Sequence, residues 1–89
     1  MELKQVEKIT KALGDRNRLL ILKAIRANNG NLDCAAIVTS LALAQPSISH
    51  HIKKLTEADI ILPHKNGRFY SYSINEKLLD NYVTTLKKL

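Results

Sequence analysis

Five stretches of this chain place apolar residues at helical spacing, and one short stretch between the fourth and fifth does not. Leu3, Val6, Ile9 and Leu13 predict a helix over residues 3–13, stopped by Gly14. Asp15 is a good N-cap for a second helix, Arg16 to Ala27, with Leu19, Leu20, Leu22 and Ile25 as its apolar set. Asn28-Asn29-Gly30-Asn31 is a turn cluster. A third helix is expected from about Asp33 to Leu41, burying Cys34, Ile37, Val38 and Leu41. Ala42-Leu43-Ala44 reads as a turn, and Pro46 suits the first turn of a fourth helix. That helix carries the stripe Ile48, Ile52, Leu55 and ends at Asp59, in a position that often requires a left-handed backbone. Ile60-Ile61-Leu62 and Phe69 to Ile74 then read as two strands around the turn signal Asn66-Gly67. Pro63 fits only a strand with a free edge. Asn75 caps a last helix, Glu76 to Leu89, with Leu78, Leu79, Tyr82, Val83, Leu86 and Leu89 apolar. The expected architecture is mainly α with a small two-stranded β-hairpin, in the order α-α-α-α-β-β-α.

Eighty-nine residues make one domain, residues 1–89, with a modest core. The apolar sets of the two terminal helices (about 3–13 and 76–89) cover broader faces than one small domain readily buries. They therefore predict a homodimer, with Val6, Ile9, Leu79, Tyr82, Val83 and Leu86 near the interface. The formal net charge of +6 and a pI near 9.7 favour a polyanionic partner. A single cysteine, Cys34, excludes an intramolecular disulfide. No export signal or membrane-length apolar run is visible, so a cytoplasmic location without membrane contact is expected. No catalytic constellation, cofactor motif or metal-ligand spacing stands out, and an enzyme is not expected.

From Gln45 to Tyr72 the pattern is that of a short polar-faced helix followed by a two-stranded hairpin with a basic tip. Opposite the stripe Ile48, Ile52, Leu55, the fourth helix carries Ser47, His50, Lys53 and Lys54, with Gln45 and Ser49 flanking them. The hairpin tip carries Lys65 and Arg68. A cationic helix beside a cationic hairpin is the shape of a winged helix-turn-helix, whose helix enters the major groove of double-stranded DNA. Ser47 and His50 would reach base edges and Gln45 and Ser49 bases or phosphate, while Lys53 and Lys54 would grip the backbone and Lys65 and Arg68 would meet the backbone or the minor groove. The competing reading is a solvated helix face and a charged turn that keeps a sheet edge soluble. His51 leans toward the core, and Tyr70 and Tyr72 suit hairpin packing.

Three segments carry a family resemblance: LGDRNRLLIL at 13–22, QPSISHHIKKL at 45–55, and LTEADII followed by KNGRFYSYSI. In this order and spacing the chain resembles the ArsR/SmtB winged-helix repressors along nearly all its length. The resemblance implies a homodimer that binds an imperfect inverted repeat, represses the adjacent promoter and lets go when a metal, metalloid, oxidant or other signal arrives. The family's arsenic and cadmium ligands fall on Asp33, Ala35 and Val38 here, and Cys34 sits between those slots. The last helix offers Asp80 and Glu76 but no histidine for a zinc or nickel site. The expectation is a repressor without the family's common metal sites, its inducer unspecified. The alternatives are a repressor responding through Cys34 alone, a winged helix that binds protein, and a non-specific DNA-coating protein.

Overall fold

The computed structural model describes residues 1–41 and 45–89, the side chain of Gln45 excepted. The expected turn Ala42-Leu43-Ala44 lies outside the described residues. The elements are α1 (Leu3–Leu13), α2 (Arg16–Ala27), β1 (Asn31–Asp33), α3 (Cys34–Ser40), α4 (Gln45–Glu57), β2 (Ile61–Asn66), β3 (Phe69–Ile74) and α5 (Glu76–Lys87). The five helices and the hairpin stand where the apolar pattern put them. The Asp15 carboxylate accepts the amide N–H groups of Asn17 at 2.8 Å and Arg18 at 3.3 Å and starts α2.

Three features depart from the sequence reading. First, Asn31–Asp33 is a strand: β1 joins β3 antiparallel, with Leu32 opposite Tyr72, giving the sheet order β1-β3-β2. Asp33 therefore lies outside the third helix and caps it, accepting from the Ala36 N–H at 2.7 Å. Three residues are too few to show an alternation, and only the pairing with β3 makes them a strand. Second, the hairpin loop is Gly67-Arg68, since Asn66 pairs with Phe69 as the last residues of the two strands. Gly67 has φ 65°, and Arg68 is not among the positive-φ residues, so the loop belongs to the turn type with glycine first. Arg68 is thus in the turn itself. Third, the buried face of α2 is Ile21 and Ile25, while Leu19 and Leu20 are exposed. Leu19 to Leu22 is an unbroken apolar run, which leaves the rotation of the helix undetermined.

The core lies between the five helices and the inner face of the sheet. Among the described residues, the largest fully buried side chains are Ile9, Ile21, Ile25, Ile37, Ile48, Leu55, Ile60 and Ile61. Each contributes roughly 1.5–3 kcal/mol on burial. They are nearly all β-branched, with few rotamers to lose on packing. The packing of α1 on α5 is closed by the Tyr82 hydroxyl, 2.7 Å from Thr10 Oγ1. Val6, Ile9 and Tyr82 are consequently buried in the protomer's own core, at 4%, 0% and 7% exposure. They are not part of an unsatisfied surface. The apolar surface left over on the terminal helices is Leu3, Val83, Leu86 and Leu89, beside half-buried Leu79.

Candidate nucleic-acid interface

Helix α4 is held from three sides. Ile48, Ile52 and Leu55 are buried in the core, so the phase of the helix is set and Ser47, Ser49, His50, Lys53 and Lys54 are exposed. The side chain of Gln45 lies outside the described residues. His51 turns inward, half-buried, and its Nδ1 accepts from Arg18 Nε at 3.1 Å. Arg18 also donates to the Ala12 carbonyl at 3.3 Å, so one guanidinium joins the end of α1, the start of α2 and the middle of α4. Residue spacing alone gave no sign of this clamp, because His51 lies far from Arg18 in the chain. Desolvation opposes ionisation of the nearby Asp15. The Arg18 and Asn17 amides and the charge of Arg18 outweigh it and hold that carboxyl below its usual value.

The C-terminus of α4 is closed by a left-handed residue. Asp59 has φ 60°, its N–H donates to Thr56 O at 2.9 Å, and the Ile60 N–H donates to Leu55 O at 3.0 Å. This is the two-bond helix stop usually built around glycine, here built on Asp. Asn75 then binds that stop to α5. Its Nδ2 donates to Asp59 O at 2.9 Å, while its Oδ1 accepts from the Leu78 N–H at 3.2 Å. Helix α4 is therefore coupled directly to the start of the last helix.

On the wing, strand alternation sorts the side chains. Ile61 and Ile74 are paired and buried, so Pro63, Lys65, Tyr70 and Tyr72 share the inner face of the sheet. The ammonium of Lys65 lies 5.9 Å from the centre of the Tyr70 ring. Tyr72 packs against the core, and burial pushes its hydroxyl pKa up, with Cys34 and Tyr70 adding to the effect. On the outer face His64 Nε2 lies 2.6 Å from Ser73 Oγ. Pro63 sits on β2, an edge strand, where its missing N–H breaks no ladder. Both tyrosines thus serve the hairpin, while Lys65 and Arg68 are exposed at its tip. A shallow groove of about 330 Å³ separates α4 from the wing, lined by Ser49, Lys53, Thr56, Pro63, Tyr72 and Cys34.

Cys34 is half-buried at the first residue of α3 and is a free thiol, not one sealed in a helix face. Asp33, in one of the family's arsenic-ligand slots, is committed to capping α3. Glu76 forms a two-pronged ion pair with Arg26, with both N···O distances 2.9 Å. No group of three or more His, Cys, Asp or Glu among the described residues could hold a metal ion.

Residues 15–61, from the start of α2 to the start of β2, match the model of the bacterial regulatory protein arsR family. The chain belongs to the arsR family. It is 30% identical over 86 residues to the arsenical resistance operon repressor of Staphylococcus aureus, covering 97% of this chain and 81% of that protein. Among solved structures, an ArsR family transcriptional regulator superposes with a TM-score of 0.84 at 25% identity, covering 99% of this chain and 89% of the other. The homodimeric winged helix-turn-helix domain of a possible ArsR-family regulator from Mycobacterium bovis superposes with a TM-score of 0.76. It is 24% identical, with 94% of this chain and 77% of that one covered. The fold is thus the winged helix-turn-helix, with α3 and α4 as the helix pair and β2–β3 as the wing. This arsR-family chain is a DNA-binding transcription regulator, not an enzyme.

Proposed function

We propose that this chain is a homodimeric, sequence-specific repressor that binds an inverted-repeat operator. The observation that carries the reading is the division of α4. Its apolar stripe is buried, and its exposed face offers hydrogen-bonding and cationic side chains. A face built to contact protein would instead expose aromatics or methionine. Ser47 and His50, near the start of α4, read base edges, with Gln45 and Ser49 beside them. Lys53, Lys54, Lys65 and Arg68 hold the backbone. The single domain dimerises through α1 and α5, using exposed Val83 and Leu86 beside half-buried Leu79, together with Leu3 and Leu89. No helix among the described residues is long and apolar enough to cross a membrane, and the protein acts in the cytoplasm, where its DNA lies.

Selection from a pool of randomised duplexes tests this directly. The bound fraction should converge on two inverted half-sites whose centres lie about one helical turn, roughly 34–36 Å, or a multiple of it apart. Convergence on a single asymmetric site would remove the dimer from the reading. Absence of any convergence would leave a DNA-coating protein.

A further inference from the structure

A helix seated in a major groove about 12 Å wide nearly fills it, so phosphates pass along both of its flanks. On one flank of α4 lies the wing with its cations. On the other, α1, α2 and α4 enclose a groove of about 480 Å³ lined by Lys8, Lys11, Arg18, Lys54 and Glu57, four cations against one carboxylate. Lys4, Lys8 and Lys11 fall at i, i+4 and i+7, a basic stripe along a helix otherwise assigned to dimerisation.

We propose that Lys8 and Lys11, together with Lys54, contact the phosphates along the edge of the major groove opposite the wing. This rests on the reading of α4 as the DNA helix and extends the contact surface to α1. Arg18 is committed to His51 and Ala12, so it adds charge to the groove and not a mobile hand. The lysines are free to move. Lys11 meets Glu7, and Lys54 meets Glu57, only at 3.9 Å, and the Lys11 and Glu7 side chains are 76% and 66% exposed. Exposed pairs of this kind are weak and give way to a denser charge, and duplex DNA offers one negative charge per about 1.7 Å of axis. Among the described residues no carboxylate lies within 4 Å of the Lys8 ammonium.

The test is a salt titration of duplex affinity for three double variants, on the selected operator and on a scrambled duplex. For Lys8→Gln/Lys11→Gln the slope of log K against log[salt] should become shallower by about 0.9 per lysine in each subunit, with both duplexes weakened by the same factor. Lys8→Arg/Lys11→Arg should keep the wild-type slope. Lys77→Gln/Lys87→Gln, which removes the same charge from α5 outside the groove, should also keep it. An unchanged slope in the first variant overturns the proposal while leaving the reading of α4 standing. So does equal flattening by the α5 variant, because that would be a general effect of net charge. A wild-type protein that binds neither duplex overturns both.

Discussion

His50 and Lys54 are four residues apart on α4, and the structure gives them different neighbours. His50 is exposed near the start of the helix, while Lys54 borders the groove shared with α1. Losing a base contact costs about 1–3 kcal/mol on the operator and little on random DNA. His50→Ala should therefore erode the ratio of specific to random affinity, and Lys54→Ala should weaken both duplexes and leave the ratio nearly intact. Titrating both variants on operator and scrambled duplex checks this, and equal weakening of the two by His50→Ala would reassign the roles. Asp59 gives a second test at this scale. A left-handed backbone costs a residue with a Cβ roughly 1–2 kcal/mol, least for Asp and Asn and most for a β-branched side chain. Asp59→Gly should match or exceed the wild-type melting temperature, and Asp59→Val should lower it. A stable Asp59→Val protein would mean that the helix stop is not under this constraint.

Among elements, the ties that matter most here hold α2, α4 and α5 together. Arg18 reaches from α2 to α4, and Asn75 from the stop of α4 to the cap of α5. Arg26 and Glu76 join the end of α2 to the start of α5. The hydrogen bond from Arg26 is the main reason the Glu76 carboxyl lies below its ordinary value of 4.5. A lowered carboxyl pKa stabilises the fold fully above that ordinary value, and the contribution is lost as pH falls through the lowered one. The pair is exposed, so its effect is small. Glu76→Gln should reduce the melting temperature slightly at neutral pH, and the difference from wild type should vanish in acid below the lowered value. A difference that persists there would point to a packing role for the side chain.

At the scale of the molecule, the proposed dimer rests on the remaining apolar surface. Val83 and Leu86 are exposed at 47% and 42% on α5, one turn apart, and nothing in the protomer needs them there. Val83→Asp/Leu86→Asp should therefore give a folded monomer with unchanged helix content. Sedimentation at micromolar concentration reads this, and a wild-type monomer would discard the dimer. The same change at Val6 or Ile9 should unfold the chain, because those side chains are in its core. Arsenite, cadmium and zinc at low micromolar concentration should leave operator affinity unchanged. Thiolate-seeking ions need two or more thiolates, and each protomer has one cysteine; zinc needs three or four N, O or S ligands, and no group of three or more His, Cys, Asp or Glu among the described residues could hold it. Calorimetry finding one tight site per protomer or per dimer would reverse that expectation.

Spacing alone determined the five helices, the hairpin, the cationic face of α4 and the family, because each rests on a local period or on a motif contiguous in the chain. The caps at Asp15 and Asn75 and the left-handed Asp59 were equally legible, since a helix end must satisfy its own backbone within a few residues. What required the folded chain was everything that depends on partners far apart in sequence. Asn31–Asp33 is a strand only because β3 pairs with it. The rotation of α2 was chosen by the core, which took Ile21 and Ile25 from an apolar run and left Leu19 and Leu20 outside. The loop moved by one residue to Gly67-Arg68 because cross-strand register, not the Asn-Gly pair, sets which residues turn. Val6, Ile9 and Tyr82 passed from a presumed interface to the protomer's interior when α1 closed on α5. The basic groove of Lys8, Lys11, Arg18 and Lys54 exists only where three helices meet, so no single stretch of the chain contains it.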